Sequence, residues 1–188
     1  MKKIRLRFEN LQQVKGNDGI ALILLTDMNR MHAITVVCDD PMMQQLLMRL
    51  QNRQLCRNML PEALVSLLPS KYEMMVFGLF QGQYQVVLMD EHGESTRLRM
   101  SDAVWLMLIS DIPLYIEESL MKRQSTPYDE TATGIAIPIN TMDVPRLKMA
   151  LQHAIDDENY ELASQLRDEI KRRDSPTTDV SSFTTTTL

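Results

Sequence analysis

At 188 residues with a formal net charge of -5, the chain has room for one domain of ordinary size and a small appendage. The charge is uneven: residues 1–123 hold 14 basic and 14 acidic side chains, residues 146–173 hold six of each, and the excess acid is Asp129, Glu130, Asp143, Asp174 and Asp179. Two cysteines outside any CxxC pattern exclude a disulfide framework and a zinc finger, and no apolar run approaches the ~20 residues of a membrane span.

The first element is "KIRLRF", which alternates strictly and puts Ile4, Leu6 and Phe8 on one face of a half-buried strand, with Lys3, Arg5 and Arg7 on the other. "GIALILLTD" and "HAITVVC" are two further strands around the turn "MNRM". Asp40-Pro41 then opens a helix, with Asp40 as N-cap and Pro41 in the first helical position. Met43, Leu46, Leu47 and Leu50 form its buried stripe. After a second short helix, "LPEALVSLLPS", the order repeats: "YEMMVFGLF", "QYQVVLMDE" and "STRLRM" are strands with Gln81-Gly82 and His92-Gly93 at turns, and "DAVWLMLIS" is the helix that follows. Two copies of a strand-strand-strand-helix unit predict a two-layer α+β domain over residues 1–123. The methionines fall mainly at apolar positions, as gap-fillers of a soft core.

From 124 to 143 the composition shifts to Ser, Thr, Pro and Gly, which marks a linker, with "GIAIPI" its one apolar patch able to dock on the core. Residues 174–188, "DSPTTDVSSFTTTTL", hold too little apolar surface to offset the entropy of ordering, so a disordered tail is expected. Between these stretches, residues 144–173 carry two helical stripes: Leu147, Ala150, Leu151 and Ala154, then Leu162, Ala163, Leu166 and Ile170. The acidic break "DDEN" separates them. An α-helical hairpin follows, helped by acid-first pairs Asp168–Arg172 and Glu169–Arg173 worth ~0.2–0.5 kcal/mol each. So short a hairpin needs a partner for stability.

The stretch "LKMALQHAIDDENYELASQLRDEIKRR" resembles the UVR motif, a helical hairpin of excinuclease subunits and some Clp ATPases. The matching residues are Leu147, Ala154, Tyr160, Glu161, Ala163, Leu166, Arg167, Asp168 and Ile170. The resemblance implies a protein partner, bound through Leu147, Leu151, Tyr160, Leu166 and Ile170.

The stretch "LRMSDAVWLMLISDIPLYIEESL" resembles the bifunctional nuclease domain family, on Ser101, Asp102, Ala103, Pro113 and the "LYI" that follows. A UVR motif often closes the bacterial members, and the resemblance spans residues 1–123 plus the hairpin. It implies a hydrolase acting as both DNase and RNase, with Ser101 and Asp102 as catalytic candidates and Mg or Mn as the metal, although no ligand set is evident. One motif departs from the family: where members read Arg, Pro, any residue, Thr, His, Asp, this chain reads "RQLCRN". Arg57 and Asn58 thus replace a general base and a metal carboxylate, which neither can imitate.

Arg49, Arg53 and Arg57 recur every four residues and predict a solvent-facing ridge opposite the leucine stripe. Arg97 and Arg99 share a face of the strand before Ser101. Ends of equivalent helices and strands that converge would make the five a phosphate-binding groove for DNA or RNA, and a merely solvated charged face is as good an account. Asp39, Asp40, His32, His92 and His153 form no triad or ligand spacing. Two readings therefore stand: a nuclease, and a non-catalytic adaptor that recruits a partner through the hairpin. Uncovered strand edges add an expected homo-oligomer. "IALILL" is too short and too far along to be a secretory signal, so the expected location is the cytoplasm.

Overall fold

The computed structural model describes residues 2–13, 20–68, 71–130 and 139–174. They divide into two compact units, Met1–Met142 and Asp143–Leu188. The patch "GIAIPI", but for Ile139, and the tail after Asp174 lie outside the described residues.

The first unit is built on one eight-stranded sheet in the order β6-β5-β4-β7-β1-β2-β3-β8. Its strands are β1 (Lys3–Gln13), β2 (Ile20–Asp27), β3 (His32–Asp39), β4 (Glu73–Phe80), β5 (Gln83–Met89), β6 (Ser95–Leu98), β7 (Leu114–Glu117) and β8 (Thr126–Pro127). Two antiparallel meanders, β1-β2-β3 and β4-β5-β6, are joined through β7, which is antiparallel to β1 and parallel to β4. Each meander is followed by a helix: α1 (Asp40–Gln51) after the first and α4 (Met100–Ile109) after the second. This is the repeated strand-strand-strand-helix pattern of the sequence, with α2 (Arg53–Cys56) and α3 (Leu60–Val65) following α1, and α5 (Glu118–Gln124) following β7.

Leu6, Ile23, Leu25, Ile34, Met74, Val76, Leu114 and Ile116 supply the sheet's side of the core, and Met43, Leu46, Ala103, Val104 and Leu120 the helices' side. Both cysteines are buried thiols outside any disulfide. β1 runs five residues beyond the alternating run, past a register shift between Phe8 and Asn10. Gln81 and Gly82 both have positive φ, 49° and 81°, the two-residue turn whose twist suits a hairpin. In the turn after β2, Arg30 is left-handed at φ 57°, while the Asp27 carboxylate accepts the N–H groups of Asn29, Met31 and His32.

Two expectations for α1 are corrected. Asp39, not Asp40, is its N-cap, and its carboxylate accepts the Met42 N–H at 2.9 Å. Asp40 and Pro41 lie inside the first turn. The buried stripe is Met42, Met43, Leu46 and Arg49, while Leu50 is exposed. Residues 126–127, placed by composition in a linker, pair with β3, and the turn Ile139–Thr141 packs on the same strand.

A polar cluster on β1 and β2 holds this end of the unit together. Glu9 receives Arg30 at 2.8 Å and Thr26 at 2.8 Å and pairs with Arg7 at 2.8 Å, and the Arg30 guanidinium lies over the Tyr128 ring. Burial pushes the Glu9 carboxyl up, but the hydrogen bonds from Arg30 and Thr26, with the charges of Arg7 and Arg30, outweigh it and hold the group below its ordinary 4.5. A depressed folded-state value means the unfolded chain binds the proton more tightly. The stabilisation is therefore complete above pH 4.5 and lost as pH falls through the folded value. Glu9→Gln should lower the urea midpoint at neutral pH, and the gap to wild type should close in acid; a gap independent of pH would contradict this.

The second unit is α6 (Val144–Asp156) packed on α7 (Tyr160–Asp174). Asp143 caps α6 by accepting the Arg146 N–H at 2.9 Å, and the Asn159 side chain accepts the Leu162 N–H at 3.2 Å. Between them the Asn159 N–H reaches Ala154 O and the Glu158 N–H reaches Ile155 O, with Glu158 left-handed at φ 57°. These are the paired bonds of a Schellman turn, formed here with glutamate where glycine is usual. Of the two expected acid-first pairs, Glu169–Arg173 forms at 2.6 Å, whereas Arg172 also goes to Glu169, at 2.7 Å, and not to Asp168.

Candidate nucleic-acid interface and partner hairpin

α1 ends where Asn52 leaves the helical region at φ -138°, ψ 56°, so the four-residue arginine spacing does not run along one helix. Arg53 starts α2 and Arg57 caps its end. The break separates Arg49, which is buried, from Arg53 and Arg57, which are exposed.

Arg49 turns inward and is 6% exposed. Its Nε donates to Glu62 Oε1 at 2.6 Å and its Nη2 to Oε2 at 3.1 Å, while Nη1 donates to the main-chain and side-chain oxygens of Gln45 at 3.0 and 2.8 Å. The guanidinium also lies 4.5 Å from the centre of the Trp105 ring. With both partners largely out of water this is a buried ion pair, tying α1 to α3 and to α4. Arg49 is therefore an internal strut, and the expected solvent-facing position is wrong for it. The four-residue spacing carried no sign of this, because its partner lies 13 residues on.

Arg53 and Arg57 are exposed and have no ion pair among the described residues. They line a groove of about 740 Å³ together with Gln54, Asn58 and Ser66, and Ala63, Leu108 and Ile109 form its apolar wall. Arg49 and Glu62 also line the groove, and there the Glu62 carboxylate is paired with Arg49 on both oxygens rather than with Arg53 or Arg57. Guanidinium groups suit phosphate oxygens, amide and hydroxyl groups can complete such contacts, and aliphatic walls can take sugars or base edges. The same lining does not fit Mg²⁺ or Mn²⁺: hard cations take several oxygen ligands, carboxylates above all, whereas the groove's one carboxylate, Glu62, is held on both oxygens by Arg49.

Arg97 and Arg99 do not join this groove. Arg97 is exposed on the edge strand β6, and Arg99 has left the strand to become the N-cap residue of α4. There it forms a two-pronged pair with Asp102, at 2.6 and 3.0 Å. The Asp102 hydrogen bond, and then the charges of Asp102 and Asp39, raise the Arg99 pKa further. Ser101 and Asp102 sit in the first turn of α4, and the groove's Leu108 and Ile109 in its last. Leu108 lies six helical steps beyond Asp102, about 9 Å along the axis. The five arginines therefore do not line one groove, because Arg97 and Arg99 lie outside the one that Arg53 and Arg57 line.

In the hairpin, Leu147, Ala154, Ala163 and Leu166 are the buried positions. Of the expected partner contacts, Leu147 and Leu166 are thus spent inside the unit, Leu151 and Ile170 are half-buried, and Tyr160 is exposed. Met149, Ile155 and Leu162 are exposed as well. Sequence periodicity did not single out the first two, because they lie off the stripe that closes the hairpin.

Residues 145–172 match the UVR family model, described as the UvrB/uvrC motif, and the match covers the hairpin alone. No curated protein matches the chain. Among the described residues no helix is long and apolar enough to cross a membrane.

Proposed function

We propose that the first unit is a nucleic-acid-binding domain of the bifunctional nuclease type, which holds DNA or RNA strands in the α2–α3 groove, while the UVR hairpin docks a protein partner in the cytoplasm. The observation that carries this reading is the groove itself. Its two unpaired arginines, with Gln54 and Asn58, belong to "RQLCRN", the segment in which the resembled family keeps its reacting His and Asp. Arg57 and Asn58 keep the capacity to hold phosphate and lose the general base, so binding outlasts catalysis.

The second reading is a nuclease that uses Asp102, favoured by the Ser101-Asp102-Ala103 match. In this chain that carboxylate is engaged on both oxygens by Arg99, and a catalytic role would first require that pair to open. Full-length protein incubated with labelled single-stranded DNA and RNA, with Mg²⁺ or Mn²⁺ and with chelator, separates the readings. The expected result is binding under all conditions with slow or no cleavage. Rapid metal-dependent cleavage abolished by Asp102→Asn would establish the nuclease instead, and failure to bind either polymer would remove the groove reading.

A further inference from the structure

Among the described residues, the sheet face turned away from the core is covered on one half only. On β2 and β3, Thr26 stands opposite Arg7, and Leu22, Ala33 and Thr35 share its face. All four are buried, and the turn Ile139–Thr141 packs on β3. On β1, β7, β4, β5 and β6 the same face carries half-buried and exposed side chains. Register puts five of them in one row across the strands: Arg5, Tyr115, Met75, Val87 and Arg97. Their chain neighbours Leu6, Leu114, Val76, Val86 and Leu98 belong to the core or pack on it, so strand alternation turns the row outward.

The row has a cation at each end, four strand spacings or ~19 Å apart, with aromatic and apolar surface between. Arg5 and Arg97 are exposed and have no ion pair among the described residues. The three acids of these five strands are all engaged: Glu73 by Lys3, Glu9 by Arg7 and Arg30, and Glu117 by the Ser119 hydroxyl. Tyr115 has the Lys3 ammonium 4.3 Å from its ring centre. Phe77, further along β4 where the register shifts between Val76 and Gly78, is 39% exposed.

We infer that this open sheet face is a second binding surface for single-stranded nucleic acid. None of its residues lines the α2–α3 groove, and it stands or falls independently of what the groove binds. Arg5 and Arg97 hold phosphates at the two ends of the row, and the bases between them stack on Tyr115 and Phe77 and rest on Met75 and Val87. A duplex keeps its bases stacked on one another and offers these rings nothing, so the face selects single strands.

Anisotropy of short labelled oligo-dT and oligo-U on the full-length chain tests this, with Arg53→Gln and Arg57→Gln as the background that removes the groove's contribution. In that background Arg5→Gln with Arg97→Gln should weaken binding and flatten the salt slope by roughly 1.4, two contacts' worth. Tyr115→Leu should weaken it at least ~5-fold, the loss of one base stack. Ultraviolet crosslinking of oligo-dT to wild type should map to the peptides that hold Phe77 and Tyr115, a readout that needs no variant to fold. Loss of all binding in the background variant overturns the inference and leaves the groove reading standing, and so does binding that both sheet variants retain. An effect of the arginine pair without one of Tyr115→Leu, or competition by duplex DNA or poly-glutamate equal to that by oligo-dT, would show a general cationic patch and overturn it as well.

Discussion

Glu62→Ala should destabilise the first unit by about 3–5 kcal/mol, the cost of leaving one member of a buried ion pair alone. Arg49 is 6% exposed and donates to both Glu62 oxygens, and the two Gln45 oxygens that remain do not neutralise its charge. The loss is readable as a fall in the urea midpoint of full-length protein. Replacing both residues together, Arg49→Met with Glu62→Leu, should recover most of it, since an apolar pair has no charge to desolvate. A single variant within 1 kcal/mol of wild type, on the order of an exposed pair, would mean that water reaches Arg49.

Leu166→Asp should unfold the hairpin. Leu166 is buried in the α6–α7 unit, and a carboxylate there meets no cation meant for it, a penalty of several kcal/mol. Two helices of 13 and 15 residues have no such margin to lose. The far-UV signal of α6 and α7 should disappear and any partner held by the hairpin should be released, while the cooperative transition of residues 1–142 persists. Tyr160→Ala, at an exposed position, should instead weaken partner capture and leave the helices formed. Loss of both units together in Leu166→Asp would show that they fold as one.

The parts of this structure that sequence made legible are those with a local cause. Strict alternation in "KIRLRF" placed Leu6 inward, Gln81-Gly82 met the demand for two left-handed residues, and the spacing from Leu147 to Ile170 marked the hairpin. What was hidden depends on distant partners. β8 is two residues long and exists through its pairing with His32 and Ala33, and α5 is a short helix whose Leu120 and Met121 are anchored in the core. Arg49 occupies a core position because Glu62, Gln45 and Trp105 converge on it. The four-residue spacing of the arginines looked like a surface ridge, but past the backbone break at Asn52 only Arg53 and Arg57 are exposed in the groove, while Arg49 is buried at its wall. The leucine stripe of α3 has the periodicity of a core helix, and only the packing reveals that it faces outward.

The most direct test of the groove is the salt dependence of single-stranded DNA and RNA binding. For single strands the slope of log affinity against log salt changes by about -0.7 for each phosphate neutralised. Arg53→Gln with Arg57→Gln should weaken binding to both polymers and flatten the slope by roughly 1.4, two contacts' worth, with the thermal transition unchanged because both side chains are exposed. Salt-insensitive binding by wild type, or a slope that the double variant leaves unaltered, would contradict phosphate recognition by this groove.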